Sequence, residues 1–145
     1  MAKYRMEVRK RDMGRCSRPE VIITIANVSE DTAKACAVKI FENIKQDFNT
    51  EIKYTLSKDL VDAKRVCDYI LKIVVDYGYK YHQYTKTFLE SEIKSIATNV
   101  LCVDDVNHLV VSDVISCLRK ECSNNSIKLT LDKTTSGQTV ITLIR

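Results

Sequence analysis

Glycine and proline are scarce in this 145-residue chain, at three and one residues. That scarcity excludes loop-rich, collagen-like and low-complexity classes and favours long helices with short connections. Long apolar runs are missing as well. None approaches the eighteen or so residues that a membrane helix requires, so no integral membrane association is expected. The first 18 residues lack the apolar core of a secretory signal. The six cysteines, Cys16, Cys36, Cys67, Cys102, Cys117 and Cys122, are scattered and show no disulfide-framework spacing. A reducing, cytoplasmic setting with all six thiols free is the expectation. Asn27-Val28-Ser29 and Asn124-Asn125-Ser126 are then chance matches to a glycosylation acceptor.

Catalytic signatures are also absent. The chain has no Gly-rich phosphate loop, no His-Glu-x-x-His and no nucleophile elbow. No enzyme activity and no cofactor are expected. Cys102, His108, Cys117 and Cys122 lie within 21 residues, but on a helix Cys117 and Cys122 point about 140° apart. Divergent ligands make no tetrahedron, so core thiols are the better account and no metal is expected.

What is present is a core and a localised charge. The composition, 45% hydrophobic and 29% charged, suits one globular domain over residues 19–145. Residues 1–18 carry Lys3, Arg5, Arg9, Lys10, Arg11, Arg15 and Arg18 against Glu7 and Asp12, a net +5, which leaves −1 of the total +4 for the rest. The charge therefore defines a basic N-terminal arm. Tyr4, Met6 and Val8 alternate with Arg5, Glu7 and Arg9, so the start of that arm can add an extra edge strand with a charged outer row. As an accessory arm, its removal should leave a folded domain.

The run EVIITIANV over Glu20–Val28 is apolar on both sides of the pleat and reads as the central strand. Ser29 is a natural N-cap for a helix whose stripe is Ala33, Ala37, Phe41, Ile44 and Phe48. Glu51–Leu56 alternates as a half-exposed strand, and the helix between the two strands predicts a parallel crossover. Asp59 is expected to cap a second helix that runs to about Tyr77 and stops at Gly78. Thr87-x-x-Glu90 has the form of a capping box for a third helix with Leu89, Ile93, Ile96, Ala97 and Val100. Asp104 and Asp105 open a fourth, with Val106, Val110, Val114, Cys117 and Leu118 inward. IKLTLD and TVITLIR, joined through Ser136-Gly137, form a C-terminal hairpin. The expected fold is a two-layer α+β domain of order β-α-β-α-α-α-β-β, with helices mainly on one face of a mixed sheet.

The segment Tyr77–Tyr84 holds four of the seven tyrosines. Extended, it sets Tyr77, Tyr79 and Tyr81 on one side and Lys80 and His82 on the other. Stacking surfaces beside cations are what sequence-tolerant single-strand binding uses, though rings locking a helix end give the same pattern. The expected function is non-enzymatic nucleic-acid binding, RNA more than DNA, with Lys3, Arg5, Arg9, Lys10, Arg11, Arg15 and Arg18 on phosphates and Tyr79, Lys80, Tyr81 and Tyr84 against bases. The alternative is a protein-interaction or structural module that oligomerises through an exposed sheet edge or its outer helices, the arm adding an electrostatic contact. Attraction of the arm to an anionic membrane is a third expectation.

Overall fold

A computed structural model describes residues 2–10, 19–47 and 51–145. The class is α+β, but the described residues form two antiparallel sheets, where one mixed sheet was expected. The chain divides into two compact units, Met1–Asp59 and Leu60–Arg145, each with its own sheet and core.

In the first unit the elements are β1 (Ala2–Lys10), β2 (Val21–Val28), α1 (Glu30–Asp47) and β3 (Ile52–Lys58). The order across the sheet is β2-β1-β3, with β1 antiparallel to both neighbours. The expected edge strand is therefore the centre, and Glu20–Val28 supplies an edge. Parallel pairing of β2 with β3 does not occur because β1 lies between them. The reason is the even row of β1: Met6 and Val8 are fully buried, packing with Ala37, Ile52 and the half-buried Ile23, Ile25, Phe41 and Ile44. Burying side chains of that size contributes about 1.5–3 kcal/mol each, and a central strand also pairs both of its backbone edges. Ile22, by contrast, points away from this core and is 51% exposed. Asn27 takes a left-handed φ of 62° where the β1–β2 register slips, a conformation that asparagine tolerates better than most residues. Ser29 does precede α1, its Oγ accepting from the Thr32 N–H at 3.4 Å. Phe48 lies outside the described residues.

The second unit runs α2 (Val61–Tyr81), β4 (Thr85–Leu89), α3 (Glu90–Leu101), α4 (Val111–Asn124), β5 (Lys128–Lys133) and β6 (Thr139–Ile144). Its sheet is ordered β4-β6-β5. The predicted hairpin is present, turning at Gly137 with φ 86°. Strand β4 is additional. Thr87, read as a helix cap, sits inside it, paired with Thr142 of β6, and the residue before α3 is Leu89, which has no side-chain cap. Sheet pairing satisfies the backbone that the capping box was expected to serve. Leu60 stands between Asp59 and the first residue of α2, and the Asp59 N–H donates to the Lys3 carbonyl at 2.8 Å. The core joins Val66, Cys67, Ile70 and Val74 of α2 with Phe88, Ile93, Val114, Leu118, Ile141 and Leu143. Among the described residues, no helix is long and apolar enough to cross a membrane.

Because β1 is the middle strand, deleting residues 2–10 is expected to dissolve the first sheet instead of trimming an arm. Hydrogen exchange on the deletion variant should show β2 and β3 amides unprotected while those of β6 stay protected.

Candidate nucleic-acid interface

The expected site residues fall into three groups. Arg11, Arg15 and Arg18 lie outside the described residues. Lys3, Arg5, Arg9 and Lys10 are carried on β1, the first three on its odd row, facing away from α1. Their charge is largely answered inside the protein: Glu7 accepts from Arg5 Nε at 3.0 Å and from Arg9 Nη2 at 2.7 Å, and Lys3 Nζ lies 3.9 Å from Asp59. The Arg9 hydrogen bond, with the Arg9 charge and the Arg5 hydrogen bond and charge behind it, holds the Glu7 carboxyl below its ordinary range although burial opposes them. A basic row of this kind tolerates the middle of a sheet because its carboxylate sits between the guanidinium groups. It is a structural strand first, not a free cationic arm.

Tyr79, Lys80, Tyr81 and Tyr84 form the third group, at one corner of the second unit. The segment is not extended: α2 continues through Gly78 to Tyr81 and is closed by His82, whose backbone is left-handed at φ 53° and whose N–H donates to the Gly78 carbonyl. Gly78 is therefore an interior residue of α2 and not its cap. A Cβ at Gly78 would stand 3.4 Å from Arg145 Nη1 and 3.6 Å from both the Gln83 carbonyl oxygen and Tyr84 Cδ1. Helical spacing then sorts the rings. Tyr77 and Tyr81, one turn apart, pack tilted with centroids 4.8 Å apart, while Tyr79 projects from the opposite side of the helix.

Cations lie over these rings. Lys86 Nζ is 4.3 Å from the centroid of Tyr77, Lys80 Nζ 5.3 Å from Tyr81, and the Arg145 guanidinium carbon 5.6 Å from Tyr79. Tyr79 is 74% exposed, and Tyr81 and Tyr84 are each 52% exposed. Gly78, Tyr79, His82, Tyr84 and Arg145 line an open groove of about 580 Å³. Arg145 is placed by the sheet, its N–H donating to the Tyr84 carbonyl at 2.8 Å. Lys86 and Arg145 were not legible as members of this corner: they are 59 positions apart, and the β4–β6 pairing brings them together.

Other chemistry-bearing groups are occupied otherwise. His108 Nε2 meets Asp62 Oδ2 at 2.9 Å, half-buried. Burial, then the neighbouring Cys117, pushes the Cys67 thiol up to about 12, the reverse of what a nucleophile needs. Burial raises Cys122 as well. Among the described residues, no three His, Cys, Asp or Glu side chains converge on a metal position. Comparison with protein families, with curated proteins and with solved structures finds no match to this chain.

Two expectations follow. The Glu7 ion pairs stabilise the fold above the ordinary glutamate value of 4.5, and that contribution is lost as pH falls through the lower folded-state value. Urea midpoints of the wild type and Glu7→Gln should thus differ at neutral pH and converge in acid, once Glu7 is protonated in the folded state as well. For the thiols, iodoacetamide at about pH 8 should modify the exposed Cys102 in the native protein while sparing Cys67, which reacts only after unfolding. Peptide mass mapping reads both.

Proposed function

We propose that the protein is a non-enzymatic binder of single-stranded nucleic acid, RNA in preference to DNA, and that the tyrosine corner of the second unit is its base-contacting surface. The observation that carries this reading is the exposure of Tyr79, Tyr81 and Tyr84 with Lys80, Lys86 and Arg145 set among the rings. Rings that were merely packing would be buried; these leave faces available for stacking, with positive charge close enough to attract a phosphate. RNA is the favoured strand because its unstacked loops and ends present bases to such surfaces. The groove beside Tyr79 and Tyr84 is of the size that small-molecule and base-sized ligands occupy. The β1 cations, held by Glu7 and Asp59, are secondary in this reading.

Binding of a fluorescent oligouridylate tests it. Tyr79→Ala should cost about 1–3 kcal/mol of affinity with a stability change within about 0.5 kcal/mol, as for an exposed residue. Tyr79→Leu should lose as much affinity, since leucine keeps apolar volume but offers no π-face. Three corner cations predict a log–log salt slope near −2, at about −0.7 per phosphate on single strands. Wild-type protein that does not bind, or variants that bind as the wild type does, would reject the reading.

A further inference from the structure

The second sheet has one face covered by helices and one that is not. Phe88, Ile141, Leu143 and Leu129 face the helices, so the alternate residues of each strand face the other way. The strand registers arrange these in three rows: Thr85, Ile144 and Lys128; Thr87, Thr142 and Thr130; Leu89, Val140 and Asp132. Leu89, Val140 and Thr142 are half-buried and the other six are exposed. The result is a strip of mainly β-branched side chains, with a threonine row across its middle and one cation and one anion at opposite ends of its β5 edge. Thr87 and Thr142 touch through their hydroxyls at 3.4 Å, and Asp132 accepts from the Lys133 N–H at 2.8 Å.

We infer that this face is self-complementary and joins two copies of the chain. Consider a twofold axis lying between two such faces and running along the threonine row. It sets each strand against its own copy in the reverse direction, exchanging the first and third rows. Lys128 then meets Asp132 of the second copy, and Asp132 meets Lys128. Ile144 meets Val140, Thr85 meets Leu89, and the middle threonines meet themselves. Such reciprocity is the requirement for a twofold interface. The other axis in the same plane, along the strands, sets Lys128 against Thr85 and Asp132 against Leu89, leaving both charges unanswered. The charge pair therefore selects the first.

Charge also decides the occupant. Lys128 and Asp132 cancel, so the strip offers no net attraction for phosphates and is distinct from the tyrosine corner in what it recognises. Three strands and five residues span roughly 14 Å by 17 Å, small beside a standard interface, so the dimer is weak and concentration-dependent.

Sedimentation velocity on the full chain without nucleic acid, over a concentration series, reads this independently of the nucleic-acid proposal. Reversible dimerisation is expected in the wild type. Lys128→Glu should weaken it about tenfold or more, as a like-charge pair replaces an opposed one. Adding Asp132→Lys to Lys128→Glu should restore it, and Thr142→Arg should remove it. Circular dichroism confirms that each variant is folded. A wild type that is monomeric throughout, dimerisation that survives both Lys128→Glu and Thr142→Arg, or a charge-exchanged variant no better than Lys128→Glu would overturn the inference.

Discussion

The first unit depends on the seating of a charged strand in the middle of a sheet. A central strand must bury one side-chain row and pair both backbone edges. In β1 the buried row is Ala2, Tyr4, Met6 and Val8, and the edges are taken by β2 and β3. The opposite row would repel itself along the strand if Lys3, Arg5 and Arg9 stood alone. Glu7 between the two arginines, and Asp59 near Lys3, remove that conflict. Helix α1 then has a floor to cover, and the loop-spanning β2–α1–β3 segment can straddle β1 instead of pairing with itself.

The second unit follows the same logic with an apolar middle strand. Ile141 and Leu143 of β6 are fully buried, and β4 and β5 take its two edges. One consequence is the tyrosine corner. Pairing of β4 with β6 carries Arg145 to the end of α2, where Gly78 leaves space for its guanidinium. The other is the uncovered threonine face, since all three helices pack on the opposite side. A corner of exposed rings and cations and a near-neutral, β-branched strip thus arise from one small sheet and the helix that ends beside it.

Cys67, Cys122 and His108 belong to this packing. Cys67 and Cys122 fill the core, where desolvation disfavours the thiolate. His108 pairs with Asp62 across 46 positions and ties the segment before α4 to the first turn of α2.

Local patterning determined much that the structure retains. The α+β class, Ala33, Ala37, Phe41 and Ile44 of the α1 stripe, Val114, Cys117 and Leu118 of α4, the Ser29 start of α1, the hairpin of β5 and β6, and the clustering of tyrosines with cations all depend on neighbours within a few positions, where period and turn chemistry act; α4 itself begins at Val111 and not at Asp104-Asp105. Strand order did not belong to that set. The alternation of Tyr4, Met6 and Val8 is the same in an edge or a central strand; what makes β1 central is the burial of Met6 and Val8 by residues 13 to 50 positions away. Thr87 carries the same capping motif in either setting, and its place in β4 comes from pairing with Thr142. Gly78 reads locally as a helix stop, yet α2 runs through it to Tyr81 and closes at His82. Tertiary structure settled these points because the energy of a buried row, a paired backbone edge or a close backbone approach is set by the distant segment that supplies the other side.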